Sequence, residues 1–252
     1  MTAAVRPEVP VDLEERDDHV VVRLRRPEAR NAIDAAMVSA LHAVCQELED
    51  RPRTALLTGS GGIFAAGADI AELRERRRED ALRGINSGLF RRVQRLPMPV
   101  IALVDGYALG GGAELAYACD FRIATPRARF GNPEPGLGIV AAAGGCWRLT
   151  ELVGEPLAKD VLLAGRVLDA DEALAARLVS EVVAPDELED AGRALAARIA
   201  RQAPLATRLT KALLHAPREA HPVIDDLAQA VLFETEEKHT RMTAFLERRK
   251  DS

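Results

Sequence analysis

At 252 residues the chain has room for one large domain, or for one domain with a small appendage. Apolar residues make up 48% and charged residues 29%, which suffices for a full hydrophobic core and excludes a disordered chain. The net charge of −5 argues against nucleic-acid binding, which needs a basic footprint.

Cys45, Cys119 and Cys146 are odd in number and far apart, so no disulfide framework or C-x-x-C site is expected, and Cys45 and Cys119 read as buried thiols. The histidines (19, 42, 215, 221 and 239) fall at no metal-ligand spacing, so no metal site is expected. No apolar run is long enough to span a membrane, and the first eight residues lack the apolar core of a signal peptide. The expected location is the cytoplasm, with no membrane partner.

Residues 19–25 set Val20, Val22 and Leu24 against Val21, Arg23 and Arg25, the alternation of a half-buried strand. After a polar loop over 26–31, Asp34 is placed to cap a helix in which Met37, Val38, Leu41, Val44, Cys45 and Leu48 recur at helical spacing. Residues 55–58 read as a second strand. The segment from Gly59 to Ile70 is rich in Gly and Ala. Its first six residues superficially resemble a dinucleotide fingerprint, but Phe64 stands where that pattern needs Gly. Two readings stay open: a loop kept bare so that a ligand can lie against main-chain amides, or a surface loop. Residues 74–80 mix both charge signs densely, as a solvated helix face does; the alternative is a basic rim over a phosphate-bearing ligand. Residues 84–96 continue as a helix with Leu89, Phe90 and Val93 on one side.

Next comes the stretch on which the rest is organised. Val100-Ile-Ala-Leu-Val104 is an apolar run after Pro97 and Pro99 and reads as a buried strand. The turn pair Asp105-Gly106 follows, then Gly110-Gly111-Gly112 and a helix over 113–118. Helix starts present unpaired N–H groups and partial positive charge, so this corner suits an anion or a developing oxyanion, with Glu114 in the first turn. The competing reading is a tight turn whose glycines only permit close packing.

Residues 121–124 and 128–130 read as short strands, and 131–138 as a loop. Glu134 lies between Pro133 and Pro135, which predicts extended dihedrals and a stiffened, non-helical segment. That rigidity suits a catalytic carboxylate, although a solvated Glu on a proline-rich turn would look the same. Residues 141–149 open another helix, Gly165 ends the next, and 179–183 form a strand. From Pro185 the pattern is helical: 185–202, 204–215, 221–233 and 235–249, with Thr235 as a cap and Met242, Phe245 and Leu246 as an apolar stripe. The order of elements predicts a large α/β core and a C-terminal helical appendage.

Three pieces stand together: Phe64-Ala-Ala-Gly-Ala-Asp-Ile-Ala-Glu-Leu73, Pro99-Val-Ile-Ala-Leu-Val-Asp-Gly-Tyr-Ala-Leu-Gly-Gly-Gly-Ala-Glu-Leu115 and Phe130-Gly-Asn-Pro-Glu134. With Gly144-Gly-Cys-Trp-Arg-Leu149 and Phe245-Leu-Glu-Arg-Arg249, they resemble the crotonase (enoyl-CoA hydratase/isomerase) superfamily over residues 11–250, and its hydratases most. The resemblance implies an α/β spiral of ββα units with two roughly perpendicular sheets over 1–195. It also implies a C-terminal helical region, 196–252, that builds homotrimers, which pair into homohexamers. The implied substrate is an acyl-CoA thioester, with Ala68 and Gly111 supplying oxyanion-hole amides. Ala66, Asp69 and Ile70, with Arg30 and Ala32 nearby, would line the CoA site largely through backbone. Hydratases carry two glutamates; here they are Glu114, which would orient and deprotonate water, and Glu134, which would exchange the C2 proton. No metal or redox cofactor is implied, since coenzyme A is part of the substrate.

Preorganised amides suit this chemistry. Attack at C3 of an α,β-unsaturated thioester drives charge onto the carbonyl oxygen, and each donor aimed there is worth roughly 3–4 kcal/mol. Two departures stand out. Ala141-Ala142 replaces a Pro-Gly pair whose Gly backbone helps hold the water in hydratases, which bears on substrate class. Trp147 replaces a smaller polar residue and is expected to pack its indole under the helix. The other readings are a Δ3-Δ2-enoyl-CoA isomerase, which needs chiefly one base near Glu134, and another acyl-CoA-processing enzyme, such as a hydrolase or decarboxylase, sharing the oxyanion hole. A non-catalytic binding protein predicts a lost glutamate and a basic patch, against both glutamates and an acidic chain here. Acyl-chain length is left to residues 74–89 and the C-terminal helices.

Overall fold

The computed structural model describes residues 9–250, and the chain divides into two compact units, one up to Ala197 and one from Arg198. In the first unit β1 (Val11–Glu15) turns back onto β2 (His19–Leu24), and α1 (Ala35–Asp50) leads to β3 (Thr54–Gly59). Short helices α2 (Ile70–Glu75) and α3 (Arg78–Arg83) and the longer α4 (Ile85–Gln94) precede β4 (Val100–Val104), β5 (Tyr107–Leu109) and α5 (Gly111–Ala118). Then come β6 (Phe121–Ala124), β7 (Arg129–Gly131), a π turn (Gly145–Leu149) running into α6 (Thr150–Val153), and α7 (Glu155–Ala164). β8 (Leu168–Asp169), α8 (Ala170–Ala175), β9 (Glu181–Val182) and α9 (Leu188–Ala200) follow.

The large sheet has the order β1-β2-β3-β4-β6-β9, parallel from β2 onward, and a second sheet has the order β5-β7-β8. The chain crosses from one sheet to the other in each turn of a spiral. β4 is followed by β5 and then α5; β6 is followed by β7. In earlier turns single bridged residues take the place of the second strand: Ile33 pairs with Ala68, and Ala65 pairs with Ala108 of β5. Each turn is thus a strand, a short extended piece in the second layer and, in most turns, a helix, which is the expected ββα spiral.

Local chemistry explains most boundaries. The Asp34 carboxylate accepts from the Met37 N–H at 2.7 Å and starts α1, whose Met37, Leu41, Cys45 and Leu48 are buried against the large sheet. β8 and α8 have no counterpart in the sequence reading, yet α8 carries a capping box: Glu172 N–H donates to Asp169, and Asp169 N–H to the Glu172 carboxylate. β2 differs from the expected half-buried strand. It lies between β1 and β3 with Val21 as buried as Val20 and Val22, as an interior strand of a covered parallel sheet should be. The charge run at 74–80 is not one helix face. α2 stops at Glu75, and the Asp80 carboxylate accepts from the Arg77 N–H at 2.9 Å to start α3.

The second unit contains α10 (Pro204–Leu214), α11 (Val223–Phe233) and α12 (Glu236–Lys250). Thr235 Oγ1 accepts from the Lys238 N–H and caps α12. Among the described residues no helix is long and apolar enough to cross a membrane.

Candidate active site

The site is built where β5 gives way to α5. Residues 65–69 form an extended strip held on both sides. Ala66 N–H donates to the Arg30 carbonyl, Ile33 N–H to Gly67 and Asp69 N–H to Ile33, at 2.8–3.1 Å. On the other side Ala65 N–H donates to Tyr107, and Leu109 N–H to Ala65. In the parallel bridge with Ile33, the hydrogen bonds run through Gly67 and Asp69, so the N–H of Ala68 itself faces away from Ile33. Gly111 is the first residue of α5, and its N–H has no intrahelical acceptor. The two amides are neighbours: a Cβ on Gly111 would lie 3.4 Å from Ala68 N. Gly112 makes that approach possible, since a Cβ there would sit 2.1 Å from the Ala65 carbonyl oxygen. Gly112 thus serves packing, while the Gly111 N–H stands beside that of Ala68. Ala68 and Gly111 both line a cleft of about 470 Å³.

Two buried carboxylates, Glu114 and Glu134, line the same cleft, with Asp80 less buried in its wall. Glu114, 4% exposed, stands one turn into α5, and its Oε1 accepts from the N–H groups of Ala143 (2.7 Å) and Gly145 (2.9 Å). Burial lifts its pKa to about 7; the Gly145 and Ala143 N–H groups pull it down, while repulsion from Glu134 adds to the rise. Glu134, 7% exposed, is also pushed up by burial. Its Oε1 lies 3.5 Å from Asn132 Nδ2 and 3.2 Å from where a Gly110 Cβ would be, which sets it beside the amide corner. Its Oε2 is buried and has no protein partner. The expected extended segment around Glu134 is a 3₁₀ turn instead, Glu134–Leu137. Pro135 fits because the missing N–H of a first-turn residue costs no intrahelical bond. Gly136 and Gly138 N–H groups close the turn onto Pro133 and Pro135.

Sequence reasoning missed the polar groups beneath the carboxylates. Tyr117 is fully buried on α5, and its hydroxyl donates to Asn132 Oδ1 at 3.2 Å, leaving Asn132 Nδ2 facing Glu134. Burial, followed by the charges of Glu114 and Glu134, raises the Tyr117 pKa and keeps the phenol protonated. Their signal was positional: Tyr117 is one helical turn beyond Glu114, and Asn132 precedes the Pro-Glu pair. Trp147 departs from its expected place under a helix and is 48% exposed, while Leu149 takes the buried position on the π turn. Of the Ala141-Ala142 pair, Ala141 is buried and Ala142 stands in the cleft wall, next to Ala143, which with Gly145 donates to Glu114.

The remaining predicted residues gather at the strip. Ala66 and Ala32 are half-buried, Arg30 is exposed with a left-handed backbone, and Ile70 is exposed. The Asp69 side chain is engaged: it caps α2 through the Ala71 and Glu72 N–H groups, and Arg26 bridges it to Asp34. Asn31 was not foreseen. It is fully buried, donates to the Ser60 and Ile63 carbonyls and accepts from Arg26 N–H, tying the 26–31 loop to the glycine segment. The glycine segment is surface at Gly61, Gly62 and Ile70 but core in its middle, where Phe64 and Ala65 are fully buried. Arg76, Arg77 and Asp80 of the charge run stand in the cleft wall. Among the described residues no group of three or more His, Cys, Asp or Glu is arranged to hold a metal.

A pair of converging amides beside two buried carboxylates can stabilise an oxyanion while activating water and moving a proton. The chain is also similar to known proteins along nearly its whole length. The enoyl-CoA hydratase/isomerase family profile matches residues 15–252. The chain is 39% identical to the short-chain-enoyl-CoA hydratase of Clostridium acetobutylicum, covering 95% of each protein. It is 40% identical to the crotonyl-CoA hydratase of Syntrophomonas wolfei, over 94% of this chain and 95% of that one. An enoyl-CoA hydratase structure from Bacillus anthracis superposes with a TM-score of 0.89 at 31% identity, over 95% of this chain and 96% of the other. With the spiral of ββα units and the motifs at 64–73, 99–115 and 130–134, these matches show that the chain belongs to the enoyl-CoA hydratase/isomerase family.

Proposed function

We propose that this protein adds water across the 2,3 double bond of a 2-enoyl-CoA to give the 3-hydroxyacyl-CoA. The observation that carries the reading is the placement of two buried carboxylates, Glu114 and Glu134, in the same cleft as the Ala68 and Gly111 amides. The thioester oxygen accepts from both amides. Glu114, ionised, removes a proton from a water molecule as the oxygen attacks C3, and charge moves onto the thioester oxygen. Glu134, protonated, delivers its proton to C2 from the unpartnered Oε2, and exchange through the cleft restores both carboxyls. The isomerase alternative needs chiefly one carboxylate. It gives no task to a buried Glu114 that two backbone donors hold ready to ionise near neutral pH.

The strip of Ala66, Asp69 and Ile70, with Arg30 and Ala32, takes the CoA moiety mainly through backbone groups, since the Asp69 carboxylate is already occupied. The scheme calls on no metal or redox cofactor. We also assign the helical region 196–252 to trimer formation: Val223, Leu227 and Val231 lie one turn apart on α11 and are exposed, as are Met242, Phe245 and Leu246 on α12. Purified protein mixed with crotonyl-CoA is expected to bleach the conjugated-enoyl ultraviolet absorbance. Unchanged absorbance with both short and long 2-enoyl-CoAs rejects the hydratase reading, and a monomer by light scattering at micromolar concentration rejects the trimer.

A further inference from the structure

A second, smaller cavity of about 100 Å³ lies behind Glu114. Ser87, Glu114, Ala142 and Ala143 line both cavities, whereas Ala68, Gly111 and Glu134 line only the larger one. The small cavity is therefore on the far side of Glu114 from the amide pair. On the hydratase reading, on which this inference rests, a substrate held at its thioester oxygen and attacked at C3 points C4 and beyond into it.

The far wall is unusual for the end of an acyl pocket. Phe90 and the half-exposed Trp147 supply apolar surface, but Arg91 and Arg148 stand beside them. Arg148 is largely satisfied: it pairs with Glu151 at 2.9 Å and donates to the Tyr117 carbonyl. Arg91 is exposed on α4, and among the described residues no side-chain acceptor holds its guanidinium. Its neighbour Arg92 shows the contrast, bound through two nitrogens to Glu49 at 2.6 and 2.7 Å. Ser87 and Arg91 are one turn apart and present one side of α4 to the cavity. Arg91 thus stands at the end of the pocket without a paired carboxylate, and Glu114, at the opposite side, is the acid in the cavity lining. A six-carbon 2-enoyl chain places two methylenes, C4 and C5, between the reacting double bond and its last carbon.

We propose that this cavity receives the distal end of the acyl chain and that Arg91 selects 2-enoyl-CoAs ending in a carboxylate. The planar guanidinium and a carboxylate form charge-assisted hydrogen bonds that a methyl terminus cannot make. Arg91 is a specificity-determining residue in this reading and takes no part in the bond changes at C2 and C3.

The test compares trans-2-hexenoyl-CoA with its ω-carboxyl counterpart, trans-2-hexenedioyl-CoA, as substrates of the full chain and of Arg91→Ala, Arg91→Lys and Arg91→Glu. The wild type is expected to favour the diacid derivative by about tenfold in kcat/KM, the scale of one charge-assisted hydrogen bond at an exposed site. Arg91→Ala should abolish the preference while changing kcat/KM for hexenoyl-CoA less than about twofold, Arg91→Lys should keep part of it, and Arg91→Glu should reverse it. Rising salt should shrink the wild-type preference. Equal or slower turnover of the diacid by the wild type overturns the proposal, as does an Arg91→Ala variant slowed equally on both substrates. Hydration of hexenoyl-CoA without any preference leaves the hydratase reading standing, whereas hydration of neither overturns both.

Discussion

Gly111→Ala and Gly112→Ala are neighbouring changes of one methyl group that the structure separates. At Gly112 the new Cβ would lie 2.1 Å from the Ala65 carbonyl oxygen and 2.7 Å from its carbon, both backbone. Neither can rotate aside, so α5 must back away from the strip, a cost of roughly 1–3 kcal/mol or more. At Gly111 the new Cβ meets Ala68 N at 3.4 Å, within ordinary contact, and the residue lies in α5 where Ala is favoured over Gly by up to ~1 kcal/mol. That variant should melt at or up to about 4 °C above the wild type. Its methyl, however, fills the space beside Ala68 N that the thioester oxygen needs when bonded at about 2.9 Å. Denying the oxygen one of its two donors costs about 10²–10³ in kcat. Initial rates with crotonyl-CoA and scanning calorimetry on both variants separate the effects: Gly111→Ala stable and slow, Gly112→Ala lowered by several degrees. A Gly111→Ala enzyme within threefold of wild-type kcat, or a Gly112→Ala protein melting with the wild type, refutes the assignment of the two glycines.

Glu114→Gln and Glu134→Gln should each lower kcat by about 10²–10⁴ while acetoacetyl-CoA still raises the melting temperature. Because the Glu114 pKa is raised to about 7, the native state keeps a proton that the unfolded chain has released, so stability falls as pH rises from the ordinary carboxylate range through about 7. Urea titrations at pH 5 and pH 8 should therefore show Glu114→Gln gaining on the wild type only at the higher pH, by on the order of 3 kcal/mol at most, and a pH-independent difference contradicts the shift. The wild-type rate should rise with pH through a midpoint near 7 as Glu114 ionises. Asn132→Ala strands the buried Tyr117 hydroxyl and should cost about 1–3 kcal/mol and lower kcat with little change in KM, whereas Tyr117→Phe should be milder on both counts. Asn31→Ala unties the 26–31 loop from Ser60 and Ile63 and should raise KM for the CoA ester more than it lowers kcat.

What was readable in the chain is what nearest neighbours decide. Asp34 announces α1, the apolar run at 100–104 announces β4, and the glycines announce the start of α5. The second sheet was harder to read. β5 and β7 are three residues long, and the earlier turns contribute only the bridged residues Ile33, Ala65 and Ala68, too few to show any period. β2 misled for another reason: Arg23 imitates a solvent-facing position, yet its guanidinium reaches Glu189 at 2.6 Å from a strand covered on both faces. The pairing of Ala68 with Gly111, and of Glu114 with Glu134, came from family resemblance, because residues distant in sequence carry no mark of meeting. Asn132 and Tyr117 escaped both routes, being ordinary residue types whose importance lies in whom they face.

The geometry also indicates why the amide corner and the carboxylates carry different kinds of information. The Ala68 N–H is available because the bridge to the preceding turn uses Gly67 and Asp69; the Gly111 N–H is available because a helix begins there. Both follow from stacking one ββα turn on another, and both are fixed by backbone, so on the proposed function the oxyanion donors come with the fold. Glu114 and Glu134 do not follow from the fold. Glu114 is held by donors from the π-turn region, and Glu134, on a 3₁₀ turn, faces Asn132; either could be exchanged without disturbing the amides. Removing both carboxylates together should therefore abolish hydration while thermal stabilisation by acetoacetyl-CoA persists, since the proposed function has that ligand gripped at its thioester oxygen. If the double variant Glu114→Gln/Glu134→Gln lost that stabilisation while remaining folded, the carboxylates would be part of the grip, and the separation of a fold-given oxyanion hole from side-chain-given chemistry would fail.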